Sequence, residues 1–362
     1  MNGVLQKKEK GKNGVTNEKG KEKKDGMFWN SFFVLCIIIS SILIVFSCFV
    51  INDFIGNIKK YNINYPWPKL SELIPSLFIL PIVMAYKTII EYLSKDLVES
   101  CLAMKYKKPK NEEMKKLAAI YRHKLPRHLY KISFYFGFTI FGYYVLHNLP
   151  YFPKSMLGHG YMSNMFLKGF PDSYFHEKTP LFNLYYNISL AYFVNDLIFL
   201  FKMERQSDFI NMLLHHVCTI SLIIFSYITN YSNMGSLIIF CHMQSDILLH
   251  LTRFLLQTDK HIALVGFVGI TFTTNFVYMR QYVFGEMIYT VYKYITWKWG
   301  LITTSLWLFL VILYIMHLRW SYILLSKTVE LLKTKKRIVD DVNYDKLIKE
   351  NKSGSQEKIK SK

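Results

Sequence analysis

The feature that most constrains the fold of this chain is a series of long apolar segments that carry almost no charge. Phe32–Ile51 and Leu301–Met316 are two of them. A helix rises ~1.5 Å per residue, so about 20 apolar residues cross the ~30 Å hydrocarbon core of a bilayer. The sequence therefore predicts an all-α, polytopic membrane helix bundle of about eight transmembrane helices. The predicted spans are Phe28–Ile51, Leu73–Ile90, Leu129–Leu149, Leu181–Phe201, Phe209–Ile228, Met234–Leu256, Ile262–Met279 and Trp299–Leu318.

The distribution of positive charge predicts the orientation of these spans. The 362-residue chain is 51% hydrophobic, yet it carries 45 Lys+Arg against 25 Asp+Glu, a formal net charge of +20. With a cytosolic amino terminus, 34 of the 45 basic residues lie on the cytosolic side, as the positive-inside rule requires. Both termini are therefore predicted to be cytosolic, and no folded basic domain remains to bind nucleic acid. Five scattered cysteines, four of them in apolar segments, also exclude a disulfide-stapled secreted fold.

The same pattern divides the chain into four regions. Residues 1–27 and 333–362 are rich in lysine and are predicted to be cytosolic tails. Residues 28–114 are predicted to hold two transmembrane helices and a basic cytosolic linker, and residues 115–332 a domain of about six transmembrane helices. Within that domain, the aromatic-rich residues 150–180 are expected to lie at the membrane interface.

Ionisable side chains inside the predicted spans mark the candidate site, because such groups are costly in a bilayer and are by default functional. They are His215 and His216 in the fifth span and His242, Asp246, His250 and Arg253 in the sixth. The four in the sixth span are spaced by four, four and three residues, so at ~100° per residue they share one helix face. The short turn at residues 229–233 makes the two spans antiparallel neighbours. The histidine pair and the polar face are therefore predicted to lie level, about 9–15 Å from the cytosolic surface.

Three kinds of role fit these residues. A histidine beside a carboxylate can act as a base towards an amine, or its imidazole can accept an acyl group and pass it on. A structural role is the second alternative, in which the side chains form hydrogen bonds between helices, worth about 0.6 kcal/mol each. A metal site is the third. We expect no metal, because the adjacent His215 and His216 point ~100° apart. The repeated HxxHH pattern of membrane desaturases is also absent, since positions 212 and 213 are Met and Leu.

Several motifs around these residues carry a family resemblance. They are His215-His216-x-x-Thr219, Phe225-Ser226-Tyr227-x-x-Asn230, Gly235-Ser236-Leu237, His242-x-x-Ser245-Asp246, Arg280 and Trp320-Ser321-Tyr322-Ile323-Leu324. In these motifs the chain resembles the ceramide synthase (longevity-assurance) family of TLC-domain membrane proteins. The resemblance is densest between Asp208 and Arg253 and extends over about residues 115–345.

The resemblance implies a TLC domain that transfers a fatty acyl group from acyl-CoA to the amine of a sphingoid base in the endoplasmic reticulum membrane. The residues expected in catalysis are His215, His216, His242 and Asp246, and those expected to bind substrate are Arg280, Arg253 and His250. In this hypothesis His215 is the base or acyl acceptor, and Asp246 and His242 orient and stabilise it. The arginines offer a planar fork of donors to phosphates or to an oxyanion.

The same resemblance implies which substrates and other partners the protein has. These are membrane lipid, acyl-CoA and a sphingoid base, with no nucleic acid. No cofactor is expected, because acyl-CoA is a co-substrate that brings the acyl group already activated. The sequence leaves the oligomeric state open between a monomer and a homo- or hetero-oligomer.

Two departures from the family pattern keep a second function open. Met243 stands where the family usually has the first Asp, and residues 249–253 read Leu-His-Leu-Thr-Arg in place of Leu-Glu-x-x-Lys. That tract is more similar to the translocating-chain-associated membrane proteins, non-enzymatic TLC proteins that assist the endoplasmic reticulum translocon. Those proteins lack the paired histidines and the His-x-x-Ser-Asp arrangement. Acyl transfer is therefore the favoured expectation, and assistance of the translocon is the alternative.

Overall fold

The computed structural model describes residues 34–49, 68–105, 112–165, 179–202, 208–258, 261–294 and 301–334, together with residues 31, 51 and 56. Over these ranges the chain is mostly helical, and its β structure consists of an isolated bridge between Pro153 and Gly160. The helices are α1 (Val34–Phe49), α2 (Pro75–Leu93), α3 (Lys95–Lys105), α4 (Glu112–Leu146), α5 (Pro180–Lys202), α6 (Phe209–Ile228), α7 (Ser232–Thr258), α8 (Ile262–Val277), α9 (Phe284–Tyr294) and α10 (Leu301–Thr334). A 3-10 turn, Leu70–Leu73, precedes α2, and a π-helical segment, Tyr278–Val283, joins α8 to α9. The predicted all-α class is confirmed.

Five helical stretches in the described ranges are long and apolar enough to cross a membrane. They are Leu70–Leu93, Pro180–Lys202, Phe209–Ile228, Ser232–Thr258 and Ile302–Lys333. They correspond to the second, fourth, fifth, sixth and eighth predicted spans, which makes this a multi-pass membrane protein. The first, third and seventh predicted spans fall on α1, α4 and α8, which are helical but shorter or more polar than the other five. The count of eight spans therefore stays a prediction.

Stacked aromatic rings join α4 to α5 in the core. Phe134 stacks on Tyr192 with ring centroids 4.2 Å apart, and Phe138 stacks on Tyr185 at 4.8 Å. The Tyr192 hydroxyl also donates a hydrogen bond to Tyr135 Oη at 2.7 Å. Because α4 packs in turn along α7, its polar side chains are brought close to those of α7.

The turn between α6 and α7 makes these helices antiparallel neighbours, as the sequence predicts. Asn230 in this turn has a φ of 63°, in the left-handed region that Asn tolerates better than most residues. The Tyr186 hydroxyl of α5 donates to the Ser232 carbonyl oxygen at 3.0 Å and lies 3.1 Å from Ser226 Oγ. Tyr186 thus ties α5, α6 and α7 together at this end, which we call the turn end of the bundle.

Residues 150–165 differ from the expected interfacial loop. Tyr151 and Phe152 are only 2% and 0% exposed, and the Phe152 ring lies 5.2 Å from that of Phe240 in α7. These two side chains are therefore part of the core, because they cover apolar surface of the bundle, whereas Tyr161 is exposed. The other aromatic residues of the predicted loop, Phe166, Phe170, Tyr174 and Phe175, lie outside the described residues, as do residues 1–27 and 335–362 of the predicted tails.

We expect Gly235→Ala to destabilise the turn end. A Cβ at Gly235 would overlap Tyr186 Oη and approach Ser226 Oγ to 2.6 Å, so the contacts of Tyr186 have to shift. Overpacking a core in this way costs about 1–3 kcal/mol, which a lower melting temperature in detergent would report. Gly137→Ala in α4 is the matched control, because its Cβ would meet nothing within 4 Å. Equal melting temperatures for the two variants would contradict this role of Gly235.

Candidate active site

Three histidines from three helices meet inside the bundle. The ring centroids of His215 (α6) and His242 (α7) lie 6.1 Å apart, and that of His317 (α10) lies 5.0 Å from His242 and 6.4 Å from His215. All three side chains are buried, with at most 7% exposed. Phe284 packs 5.3 Å from the His242 ring and Trp320 packs 5.5 Å from the His215 ring. We call His215, His242 and His317 the histidine cluster.

Arg280 connects this cluster to a carboxylate. It lies in the π-helical segment, a geometry that is frequent at functional sites. Its Nη2 donates to Asp246 Oδ1 at 2.6 Å and to the His242 carbonyl oxygen at 3.1 Å. Its Nε donates to Ser245 Oγ at 2.8 Å, and its Nη1 donates to His317 Nε2 at 3.1 Å. The buried guanidinium thus joins α7, the π-helical segment and α10, with Asp246 as its counter-ion.

These hydrogen bonds determine which nitrogen of each neutral ring carries the proton. His242 Nδ1 lies 2.7 Å from the Ile238 carbonyl oxygen, which can only accept, so Nδ1 is the donor. His317 Nε2 faces the Arg280 guanidinium, which can only donate, so the proton of His317 is on Nδ1. His242 Nε2 therefore presents a lone pair and His317 Nδ1 presents an N–H group. Both atoms are buried, and neither has a hydrogen-bond partner among the described residues.

A second polar group lies beside the cluster, where α4 and α5 approach α6 and α7. His216 Nε2 is 3.7 Å from Asp196 Oδ2, and Lys131 Nζ binds the same carboxylate oxygen at 2.9 Å. Next to this ion pair, His250 Nδ1 and His128 Nδ1 are 3.0 Å apart. His216 thus points to Asp196 and not into the cluster, as expected for a neighbour of His215 that is rotated by ~100°.

The structure brings four of the seven predicted site residues together, namely His215, His242, Asp246 and Arg280. Asp246 reaches the cluster through Arg280, since the polar side chains it contacts in the described part of the chain are Arg280 and Ser245. His216 and His250 belong to the second polar group, and Arg253 is exposed near the end of α7 opposite the turn end. Within the described ranges, no set of three or more His, Cys, Asp or Glu side chains is arranged to hold a metal ion.

Sequence reasoning missed four residues of these two groups. They are His317, Asp196, Lys131 and His128. The signal for His317 and Asp196 was present, because each is an ionisable residue inside a predicted span and carries the same expected cost in a bilayer. Lys131 and His128 lie at the edge of the third predicted span, so their inward position depends on how far α4 extends before that span.

An apolar cavity leads from the histidine cluster towards the turn end. Its lining residues are Phe193, Thr219, Leu222, Ile223, Ser226, Tyr231, Met234, Gly235, Ile238, Ile239, His242, Val291, Leu306, Leu310 and Leu313. His242 is part of the wall, and Thr219 and Leu313 lie one helical turn from His215 and His317. The hydroxyl of Thr219 donates to the His215 carbonyl oxygen at 2.7 Å, and that of Ser226 to the Ile223 carbonyl oxygen at 3.2 Å. These two hydroxyls are therefore bonded to backbone, and most of the cavity wall is apolar.

Comparison with known proteins identifies relatives of this chain. The family model of the TLC domain matches residues 124–326, more than half of the chain. Sphingosine N-acyltransferase lag1 of Schizosaccharomyces pombe is 26% identical over 168 residues, 45% of this chain and 38% of that protein. Human ceramide synthase 5 is 31% identical over 143 residues, 39% of this chain and 36% of that protein. Ceramide synthase LOH2 of Arabidopsis thaliana is 25% identical over 225 residues, 60% of this chain and 72% of that protein.

The matches differ in how much of each relative they cover. The chain spans 38% and 36% of the lengths of the first two relatives and 72% of the third. The matched residues 124–326 include both histidines of the fifth predicted span, the Arg280–Asp246 pair and His317. The chain therefore belongs to the ceramide synthase family of TLC-domain membrane proteins.

Proposed function

We propose that this protein is a sphingoid base N-acyltransferase, which transfers a fatty acyl group from acyl-CoA to the amine of a sphingoid base. The observation that carries the proposal is that an apolar cavity ends at the histidine cluster. A cavity of this kind suits a hydrocarbon chain, and an unpaired imidazole nitrogen beside it suits proton transfer at the head of that chain. The names of the relatives, ceramide synthase and sphingosine N-acyltransferase, support the same reaction.

The proposed chemistry uses the lone pair of His242 Nε2. The amine nitrogen of the sphingoid base attacks the carbonyl carbon of the thioester, a C–N bond forms, and the C–S bond breaks. His242 Nε2 takes the proton that the amine loses and returns it to the departing thiolate, so the ring ends the cycle neutral. A positioned base of this type contributes about 100- to 10,000-fold to the rate.

A covalent route uses the same cluster with His215 as the acyl acceptor. A nitrogen of His215 forms the bond to the carbonyl carbon as the C–S bond breaks and the CoA thiolate leaves. The amine then displaces the imidazole, and the proton that the amine loses neutralises the thiolate. The two routes differ in one observable. Acyl-CoA without a sphingoid base adds the mass of one acyl group to the protein in the covalent route only, and His215→Ala removes that adduct.

Two further groups have proposed roles around the reacting carbonyl. The His317 Nδ1–H group donates to the oxyanion that develops on the carbonyl oxygen, and Arg280 holds the His317 ring in the tautomer that makes this possible. Asp246 neutralises Arg280, and His216 is held by Asp196 beside the cluster. We retain Arg253 and His250 as proposed contacts of the CoA portion, since both lie towards the end of α7 opposite the turn end.

The proposal places the protein in the endoplasmic reticulum membrane with both termini in the cytosol. The charge distribution supports this orientation, because it leaves 34 of the 45 basic residues on the cytosolic side. The endoplasmic reticulum is proposed from the resemblance to ceramide synthases. The histidine cluster then lies in the cytosolic half of the membrane, where acyl-CoA arrives. No metal or bound cofactor has a step in the reaction. The protein acts as a single chain or within a homo- or hetero-oligomer.

The test is product formation by the purified protein in liposomes. We expect labelled palmitoyl-CoA and sphinganine to give N-acylsphinganine, and no product when either substrate is omitted. A folded protein that forms no product with any acyl-CoA and any sphingoid base would contradict the proposal. That result would favour the translocon alternative, for which crosslinking to nascent secretory chains in microsomes is the test.

A further inference from the structure

The cavity has the same length along each of three helices that line it. Its last lining residues towards the turn end are Ser226 on α6, Tyr231 in the turn just before α7, and Leu306 on α10. Each of them is 11 residues along the chain from a member of the histidine cluster, His215, His242 or His317. At ~1.5 Å per residue, the distance from the histidine cluster to the end of the cavity is about 16 Å.

The cavity ends on packed side chains. Tyr231 and Met234 are 5% and 4% exposed, Leu306 is 6% exposed, and Ile302, one turn beyond Leu306 on α10, is fully buried. Beside them the Tyr186 hydroxyl fills the space behind Gly235. We call Tyr231, Met234 and Leu306 the cavity floor.

The length of the cavity converts into a number of carbon atoms. An extended hydrocarbon chain with C–C bonds of about 1.5 Å at tetrahedral angles advances about 1.25 Å per carbon. A thioester carbonyl at the histidine cluster therefore leaves room for about 13 further carbons before the chain meets the cavity floor. A chain of 24 carbons would need about 29 Å, close to the full ~30 Å thickness of the hydrocarbon core.

We propose that the cavity floor sets the length of the transferred acyl group at about 14–16 carbons. This inference rests on the proposed acyltransferase function. It adds the substrate class, which is long-chain and not very-long-chain acyl-CoA, and the three side chains that select it. Longer chains are rejected because their terminal carbons have to displace packed residues of α7 and α10.

The test is a series of acyl-CoA substrates with even chain lengths, measured with sphinganine at constant concentration. For the wild type we expect the highest kcat/KM at 14 or 16 carbons, and a value at least about tenfold lower at 20 carbons and above. Met234→Ala removes about three heavy atoms from the floor, which moves the optimum to chains about two carbons longer. Leu306→Trp fills the floor and moves the optimum to shorter chains.

Met162→Ala is the matched control, because Met162 is a buried methionine outside the cavity lining and its loss leaves the optimum unchanged. A wild-type optimum at 22–24 carbons overturns this inference while leaving the acyltransferase function in place. The same holds for active floor variants whose optimum stays at the wild-type length. If Met234→Ala does not fold, Leu306→Trp tests the floor in the opposite direction. Absence of product with every chain length overturns the acyltransferase function itself.

Discussion

His242→Phe is expected to lower kcat/KM for acyl transfer by at least about 100-fold, the usual contribution of a positioned general base. The phenyl ring preserves the packing against Phe284 but removes the lone pair of Nε2. It also removes the hydrogen bond from Nδ1 to the Ile238 carbonyl oxygen, which costs about 1 kcal/mol of stability. The variant should therefore fold and bind acyl-CoA while losing the chemical step. Rates of N-acylsphinganine formation in liposomes measure the effect.

His147→Phe is the matched control for this substitution. His147, in the turn directly after α4, has its Nδ1 3.0 Å from the carbonyl oxygen of Tyr143, four residues earlier in the chain. It therefore makes the same local contact as His242, but outside the histidine cluster. We expect this variant to keep wild-type kcat/KM. Equal activity of the two variants would show that His242 is a packing residue and not the base.

Arg280→Met is expected to reduce both stability and activity. The methionine removes the guanidinium and leaves the Asp246 carboxylate without its partner. Removing one member of a buried ion pair costs about 3–5 kcal/mol, and we expect the lower end because the Asp246 side chain is 20% exposed. The His317 ring also loses the donor that fixes its tautomer. Loss of an oxyanion donor lowers kcat about 100- to 1,000-fold.

Two further substitutions separate charge from geometry at this position. The double variant Arg280→Met/Asp246→Leu removes both charges, so it should regain stability without regaining activity. Arg280→Lys keeps the charge but has no planar fork, so it cannot contact His317, Ser245 and Asp246 together. It should remain at least about tenfold below the wild type in kcat. Wild-type melting temperature and kcat/KM in Arg280→Met would contradict the role of Arg280.

The helices that carry the site were predictable because their sequence signals are local. The bounds of α6, Phe209–Ile228, coincide with the predicted fifth span. Because the turn after α6 is short, α7 has to run antiparallel beside α6. This arrangement brings His215 and His242 together. Hydropathy is sufficient to predict the bounds of α6, and turn length is sufficient to predict its pairing with α7. Neither signal depends on distant parts of the chain.

The partners of the site residues were not predictable in the same way. The predicted polar face of α7 covers about 80°, which is wide enough to meet two different neighbours. Its His242 therefore reaches α10, while His250 reaches His128 on α4. Which neighbour a residue meets depends on helix packing and not on its spacing in the sequence.

The π-helical segment explains why the role of Arg280 was also hidden. Helical periodicity assumes 3.6 residues per turn, whereas Tyr278–Val283 is wound more widely. Helical periodicity is therefore a poor guide to the direction of Arg280, which contacts Asp246 and His317. His317 itself was missed for a simpler reason, since a single histidine in a long apolar segment resembles an ordinary core residue until its neighbours are known.

The most direct test of the proposed function is to map where the reacting end of the substrate lies. An acyl-CoA of 16 carbons with a diazirine next to the carbonyl is irradiated with the folded wild-type protein, and the labelled peptides are identified by mass spectrometry. We predict labels on α6, α7 and α10 within about one turn of His215, His242 and His317, and loss of the labels when unmodified palmitoyl-CoA competes. Labels confined to other helices, in a preparation that still forms N-acylsphinganine, would contradict the placement of acyl transfer at the histidine cluster.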